Sequence, residues 1–212
     1  MQLGKVSCLL PVVFLVGCAS YQLVPTQQQS AKVGYYRSLE YVTVGNSHLG
    51  MVAVGDVING QQMIQVVVQN RTAHAVIVKD SDFTVEYSED GLSWKAGQMY
   101  SSQEYYDSAK QKSATNNAIS SIGVGLSVAG DSVSGNSAGA NETYANQLNQ
   151  QDQHAAFLSW LKDSLFYAET ISPNKAYDGY LVPRSLNGNH LRLTLQIRGF
   201  EPLSVEFDKV RK

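Results

Sequence analysis

The chain has 212 residues, of which 43% are hydrophobic and 16% are charged, and its formal net charge is −2. This length predicts one domain, or one domain with a large insertion. The near-neutral balance argues against a nucleic-acid binder, because such proteins usually carry a strongly basic face. The two cysteines are too few for a disulfide-rich scaffold or for a four-cysteine zinc site.

The sequence begins with the pattern of a bacterial signal peptide over residues 1–17. Lys5 supplies a positive charge, and the mainly apolar run Val6–Val16 follows it. That run is far shorter than the roughly 20 residues that span a bilayer. The segment Leu15–Cys18, which reads Leu-Val-Gly-Cys, resembles the lipobox of bacterial lipoproteins.

The resemblance to the lipoprotein class implies that Cys18 is a lipidation site. The signal peptide would be removed before Cys18, a diacylglycerol would be attached to its sulfur, and the new amino group would be acylated, typically with palmitate. Ala19 and Ser20 follow without an aspartate, which resembles the sorting signal for the outer membrane. The alternatives are an uncleaved signal anchor and an ordinary signal peptide that ends near Ala19.

The same resemblance accounts for both cysteines. Cys8 would leave with the signal peptide and Cys18 would carry lipid, so the mature chain would have no free thiol. We therefore expect no cysteine nucleophile, no disulfide and no thiolate metal site in the mature protein.

Residues 18–34 are polar and show no periodicity, with Gln27–Ser30 at their centre. This composition predicts a flexible tether between the lipid and the fold. We expect the folded domain to cover residues 35–212.

The first part of that domain has the alternating pattern of β-strands. Met51, Ala53 and Val57 indicate one strand, Ile64–Gln69 is a β-branched run, Val76–Val78 follows after a short break, and Phe83–Tyr87 alternates apolar and polar residues cleanly. An Asp-Gly turn at residues 88–91 ends the last of these segments.

Residues from about 100 to 165 interrupt the strand pattern. We predict a polar helix over 101–112, a Gly-rich helix over 114–133, a loop over 134–140 and a further helix over 144–165. Within the second helix, apolar and small residues recur at helical spacing, and they form a possible interaction surface: Ile119, Ile122, Gly125, Leu126 and Ala129. This surface must be buried against its own domain, a neighbouring subunit or the membrane.

The strand pattern returns in the last part of the chain. Tyr180–Val182 and Leu203–Phe207 are short strands, and Leu191–Ile197 alternates most clearly. Short strands separated by frequent turns predict a mainly β fold, an antiparallel β-sandwich with a helix–loop–helix insertion. The strand order and the choice between a sandwich and a closed barrel stay open.

The segment Ile171–Val182 resembles the proline turn and glycine-led strand of immunoglobulin-like envelope lipoproteins. This resemblance implies an immunoglobulin-like fold and implies no activity.

Two sequences look like hydrolase motifs but lack the required context. Residues 135–139 match Gly-x-Ser-x-Gly around Ser137, and residues 130–132 read Gly-Asp-Ser around Ser132. A nucleophile elbow needs an apolar strand before it, whereas Ser137 lies in a run of small polar residues. The Gly-Asp-Ser string resembles a hydrolase motif that needs an α/β fold and a late Asp-x-x-His, whereas this chain has Asp152-Gln153-His154, one residue too close. We therefore predict a protein that is not an enzyme.

We also predict no metal site and no cofactor. The four histidines, His48, His74, His154 and His190, lack the spacing of a helical zinc site. Asp80 and Asp82 begin the pattern of a calcium loop, but the rest of that pattern is missing.

Tyrosines are clustered at three places, and they allow two interpretations. Tyr35, Tyr36, Tyr100, Tyr105 and Tyr106 could line a groove for a glycan or a peptide, or lie half-buried at the rim of a sheet. The rim is the favoured interpretation.

These features predict a lipid-anchored, periplasmic, structural or accessory subunit of an outer-membrane assembly. Its partners would be the membrane, through Cys18, and other envelope proteins or further copies of itself. The alternative is a periplasmic lipoprotein that binds a small molecule, glycan or peptide, and a concave apolar pocket with convergent polar groups would favour it.

Overall fold

The computed structural model describes residues 21–27, 31–36, 39–113, 137–185 and 187–211. The fold is mainly β, and every strand pair in its sheets is antiparallel within these residues. The coarse prediction of a mainly β, antiparallel fold is therefore confirmed.

Sheet 1 is built from both ends of the domain. Its spatial order is β1 (Tyr21–Pro25), β13 (Leu203–Arg211), β12 (His190–Leu195), β7 (Phe83–Ser88) and β8 (Lys95–Ala96). The strong alternation of β12 is explained by its central place, because its leucines face the core and its polar residues face outward.

Sheet 2 contains the longest hairpin of the described chain. Its spatial order is β2 (Lys32–Tyr36), β3 (Leu39–Gly45), β4 (Leu49–Ile58), β5 (Gln61–Asn70), β11 (Ala176–Pro183) and β9 (Met99–Tyr100). The two-residue turn between β4 and β5 is Asn59-Gly60, and both residues have positive φ, 49° and 75°. Asn-Gly is the sequence that favours such hairpin turns.

The remaining elements are a small third sheet and the helices. The third sheet pairs β6 (Val76–Val78) with β10 (Glu169–Ile171), and a short 3₁₀ helix covers Asp80–Asp82. Helix α1 covers residues 102–113 and helix α2 covers Ser137–Ser164, both between β9 and β10 along the chain.

The inward side chains of sheets 1 and 2 belong to one buried hydrophobic cluster. Its members from the two sheets include Leu23, Val42, Met51, Val66, Val85, Leu193, Val205 and Phe207. Burial of each such side chain contributes about 1.5–3 kcal/mol, so this shared core holds the two sheets together.

A second hydrophobic group, which we call the outer cluster, lies where the helices cover β5, β11 and β9. Its fully buried members are Met63, Leu161, Leu165 and Val182, and its partly buried members include Tyr100, Tyr105, Phe157, Trp160 and Tyr180. The end of α2 therefore packs on its own domain.

The chain that leaves α2 enters the main core. The ring of Phe166 is fully buried, with ring centroids 5.1 Å from Phe83 and 5.0 Å from Tyr177. Its backbone N–H donates to the carbonyl of Tyr180 at 3.0 Å. A Cβ at Gly179 would lie 2.7 Å from the Cα of Phe166, so only glycine allows this approach.

The structure differs from the predicted tether over residues 18–34. Tyr21–Pro25 pairs with β13, and Leu23 is only 2% exposed, while Lys32–Tyr36 pairs with β3. Pairing with distant strands orders these segments, and a local composition pattern cannot reveal such pairing.

The helices also differ in part from their predicted limits. Helix α1 follows the predicted 101–112 closely, whereas α2 begins at Ser137 rather than at residue 144. The small residues at 137–140 suggested a loop, but alanine is itself a strong helix former. The predicted helix over 114–133 lies outside the described residues.

Candidate functional site

A cavity of about 250 Å³ opens where the β4–β5 turn meets the two helices. We call it the hairpin cavity. Residues from three separate parts of the chain line it: Asn59, Gly60, Gln61, Tyr100, Tyr105, Ser108, Ala109, Lys112, Ser113, His154 and Phe157. A groove of about 540 Å³ adjoins it and shares Asn59, His154 and Phe157.

Helix α1 is fixed at its beginning by a set of hydrogen bonds. Ser101 accepts the backbone N–H of Glu104 on its side-chain oxygen at 3.2 Å, as an N-cap residue does. The carboxylate of Asp80 accepts the N–H of Ser102 at 2.9 Å, and the Ser102 hydroxyl donates to the carbonyl of Phe166. The helix face that lines the hairpin cavity is therefore held in place from the core.

The residues of α1 that line the cavity share one helix face. Tyr105, Ser108, Ala109, Lys112 and Ser113 follow the spacing i, i+3, i+4, i+7, i+8. This spacing is the signal in the sequence that could have identified the face.

Aromatic side chains form the apolar walls of the cavity. The rings of Tyr100 and Tyr105 are tilted against each other with centroids 5.5 Å apart. From α2, Phe157 stacks on Trp160 with ring centroids 5.9 Å apart, and the Trp160 ring lies 5.4 Å from the Tyr180 ring. These rings belong to the outer cluster, so their contacts with one another fix the positions of the side chains that line the cavity.

Burial raises the pKa of the Tyr105 hydroxyl above its ordinary value, and the neighbouring Tyr100 raises it further. Like any tyrosine, Tyr105 is a neutral phenol at physiological pH, and this shift moves its ionisation further from that range. Arg184 supports the same wall, since its guanidinium lies 4.4 Å from the Tyr100 ring centroid and pairs with Glu104 of α1.

Among the described residues that line the cavity, Lys112 carries the only permanent charge, which is positive, and His154 adds an imidazole. Neither side chain makes a hydrogen bond or an ion pair with another described residue. Within the part of the chain that the structure describes, both can therefore contact a group that enters the cavity.

The residues expected to carry the lipid and the interaction surface lie outside the described residues. These are Cys18 and the predicted helical stripe Ile119, Ile122, Gly125, Leu126 and Ala129. Ser132 also lies outside them, while Ser137 is the first residue of α2.

His48, His154 and His190 lie in three different environments. The ring centroids of His48 and Phe200 are 6.0 Å apart. His190 shares a hydrogen bond of 2.7 Å with Asp208 through its Nδ1, on the outer face of sheet 1. His154 lines the hairpin cavity. In the described ranges, no three His, Cys, Asp or Glu side chains lie close enough together to hold a metal ion.

The acidic residues near the β7–β8 turn have structural partners. Glu86 and Glu206 flank Arg192, which donates to Glu206 at 2.9 and 2.8 Å and lies 3.9 Å from the ring centroid of Trp94. The Asp90 carboxylate accepts three hydrogen bonds within its own turn, which lower its pKa to about 2.

The tyrosine groups lie in different environments in the structure. Tyr100 and Tyr105 line the hairpin cavity, and Tyr106 packs in the outer cluster. Tyr35 lies on β2 at the edge of sheet 2 and is 73% exposed.

A comparison of the chain with protein-family models, with curated proteins and with solved structures gives no significant match. In the part of the chain that the structure describes, no helix combines the length and apolar character needed to cross a membrane.

Proposed function

We propose that this protein is a lipid-anchored subunit with a structural or accessory role in an outer-membrane assembly, and that it faces the periplasm and catalyses no reaction. The observation that carries the proposal is the lipobox-like segment Leu15–Cys18 after a short apolar run. Acylation at Cys18 would supply a stable anchor, because each buried CH₂ contributes about 0.8 kcal/mol and several acyl chains would be present.

The position of β1 supports this arrangement. Only Ala19 and Ser20 separate Cys18 from Tyr21, where β1 begins. An extended chain advances at most about 3.6 Å per residue, so the anchor would hold β1 within about 10 Å of the lipid headgroups. The domain would therefore work at the membrane surface rather than at the end of a long tether.

The finer fold description is part of this proposal. We propose an immunoglobulin-like β-sandwich with a helix–loop–helix insertion between β9 and β10. Two sheets that share one core, with α1 and α2 between those strands, support it. In sandwich proteins, an edge strand such as β2 can pair with an extended segment of a partner.

Chemical crosslinking in intact cells tests the assembly role. The tagged protein should be recovered in one membrane complex of fixed size and composition, and the same complex should be absent when Cys18 is replaced by serine. Recovery of the protein only as a crosslinker-insensitive monomer would contradict an assembly role.

The second candidate function is a periplasmic lipoprotein that binds a small ligand. The hairpin cavity favours it, because its described lining combines aromatic side chains with the ammonium of Lys112 and the imidazole of His154. Cocrystallisation or ligand titration distinguishes the two functions, since an assembly subunit needs no ligand in this cavity.

A further inference from the structure

We propose that the hairpin cavity binds a small carboxylic acid that carries a single ring. This inference goes beyond the assembly role and does not depend on the anchor at Cys18, so either can fail without the other. The proposal follows from the size, the walls and the charges of the cavity.

The size of the cavity limits the ligand. Its volume of about 250 Å³ lies just below the roughly 300–1,000 Å³ of pockets that enclose drug-sized ligands. A molecule with one ring therefore fits, and the adjoining groove of about 540 Å³ leaves room for a substituent on the side of His154.

The walls favour a ring. Tyr100, Tyr105 and Phe157 all line the cavity and supply aromatic surface to it. Aromatic side chains pack well on flat rings, in offset or edge-to-face contacts. A sugar ring with an apolar face of C–H groups offers the same kind of surface.

The charges favour a carboxylate. Lys112 and His154 line the cavity, and none of the described lining residues is an aspartate or a glutamate. Ser108 and Ser113 add hydroxyl groups on the same helix face. An ammonium that bonds a carboxylate forms a charge-assisted hydrogen bond, which is stronger than a neutral one.

The neutral Tyr105 phenol fits this assignment. A tyrosine hydroxyl is neutral at physiological pH, so that of Tyr105, which lines the cavity, can donate a hydrogen bond to the ligand without repelling an anion. An acidic sugar and an aromatic acid share the required chemistry, and the two are separated by the probes below.

Isothermal titration calorimetry on the purified full-length protein in detergent tests the proposal. The probes are glucuronate and benzoate, with glucose and benzyl alcohol as their uncharged counterparts. Saturable binding of at least one carboxylate, at least tenfold tighter than its uncharged counterpart, supports the site and identifies the ring class. Absence of saturable binding by either carboxylate, or equal binding of the uncharged compounds, would overturn it.

Variants of α1 locate the binding. Lys112→Met should weaken carboxylate binding at least tenfold. Lys110 is an exposed lysine of the same helix that does not line the cavity, so Lys110→Met should leave binding unchanged. Tyr105→Leu should weaken binding of whichever carboxylate binds the wild-type protein. Thermal melting of each variant verifies folding, and equal binding by a folded Lys112→Met variant would overturn the proposal.

Discussion

Asn70 is buried at the end of β5, and its side chain is bonded at both ends. Its amide nitrogen donates to the carbonyls of His74 at 2.7 Å and Ile171 at 2.8 Å, while its oxygen accepts the N–H and hydroxyl of Thr72 at 2.9 and 2.8 Å. The residue therefore joins β5 to the following loop and to β10.

The cost of Asn70→Ala follows from these contacts. Each lost hydrogen bond contributes about 1 kcal/mol net, and a buried carbonyl left without a donor costs about 1–3 kcal/mol. Only the bond to Ile171 is fully buried, so water can replace part of the others. We expect the free energy of unfolding to fall by about 2–4 kcal/mol and the melting temperature to fall by roughly 5–15 °C.

Urea unfolding followed by circular dichroism measures this change. Asn187→Ala is the matched control, because the Asn187 amide is exposed and donates one bond, to the Ser185 hydroxyl at 3.1 Å. The reasoning would be refuted if Asn70→Ala lowered the free energy of unfolding by no more than this control.

Three further predictions concern positions with a defined local environment. Gly179→Ala should lower the melting temperature, because its Cβ would lie 2.7 Å from the Phe166 backbone, and an unchanged melting curve would contradict the contact. Tyr87→Phe should raise stability by about 1 kcal/mol, since it removes a buried hydroxyl without a partner. Burial raises the pKa of Tyr87 to about 12, above its usual 10.0, so the unfolded chain ionises first and the free energy of unfolding falls as the pH rises from 10 towards 12. The variant should lack that loss in an alkaline unfolding series. Asp90→Asn should make the free energy of unfolding less dependent on pH in acid. Hydrogen bonds lower the pKa of Asp90 from 3.8 to about 2, so the wild type loses the stability they contribute as the pH falls from 3.8 to about 2.

The central strands could be predicted because each has one face buried in the core and one face exposed. Leu191, Leu193 and Leu195 face the shared core while the residues between them face outward, so the alternation in the sequence follows the burial. The long β4–β5 hairpin carries a similar signal, and Asn59-Gly60 marks its turn.

Elements that depend on distant partners could not be predicted in the same way. Tyr21–Pro25 is short and partly polar, and it is a strand because β13 supplies its hydrogen bonds. The beginning of α2 at Ser137 was not predicted, because the small residues at 137–140 are typical of a loop.

The hairpin cavity shows why a site is harder to predict than a strand. Its lining comes from the β4–β5 turn, from β9, from α1 and from α2, so no short motif contains it. The spacing of Tyr105, Ser108 and Lys112 marks one helix face, but only the tertiary structure brings His154 into the same cavity. The clustering of tyrosines indicated Tyr100 and Tyr105 as possible binding residues, whereas the sequence placed Lys112 only in a polar helix.

Metabolic labelling with a palmitate analogue, followed by separation of membranes, tests the central claim of lipid anchoring most directly. The wild-type protein and a Cys8→Ser control should carry the label and sediment with the outer membrane, because Cys8 lies in the segment that would be removed. The Cys18→Ser variant should lose the label and be released from the membrane. Unchanged membrane retention of an unlabelled Cys18→Ser protein would contradict the claim that a lipid on this residue is the anchor.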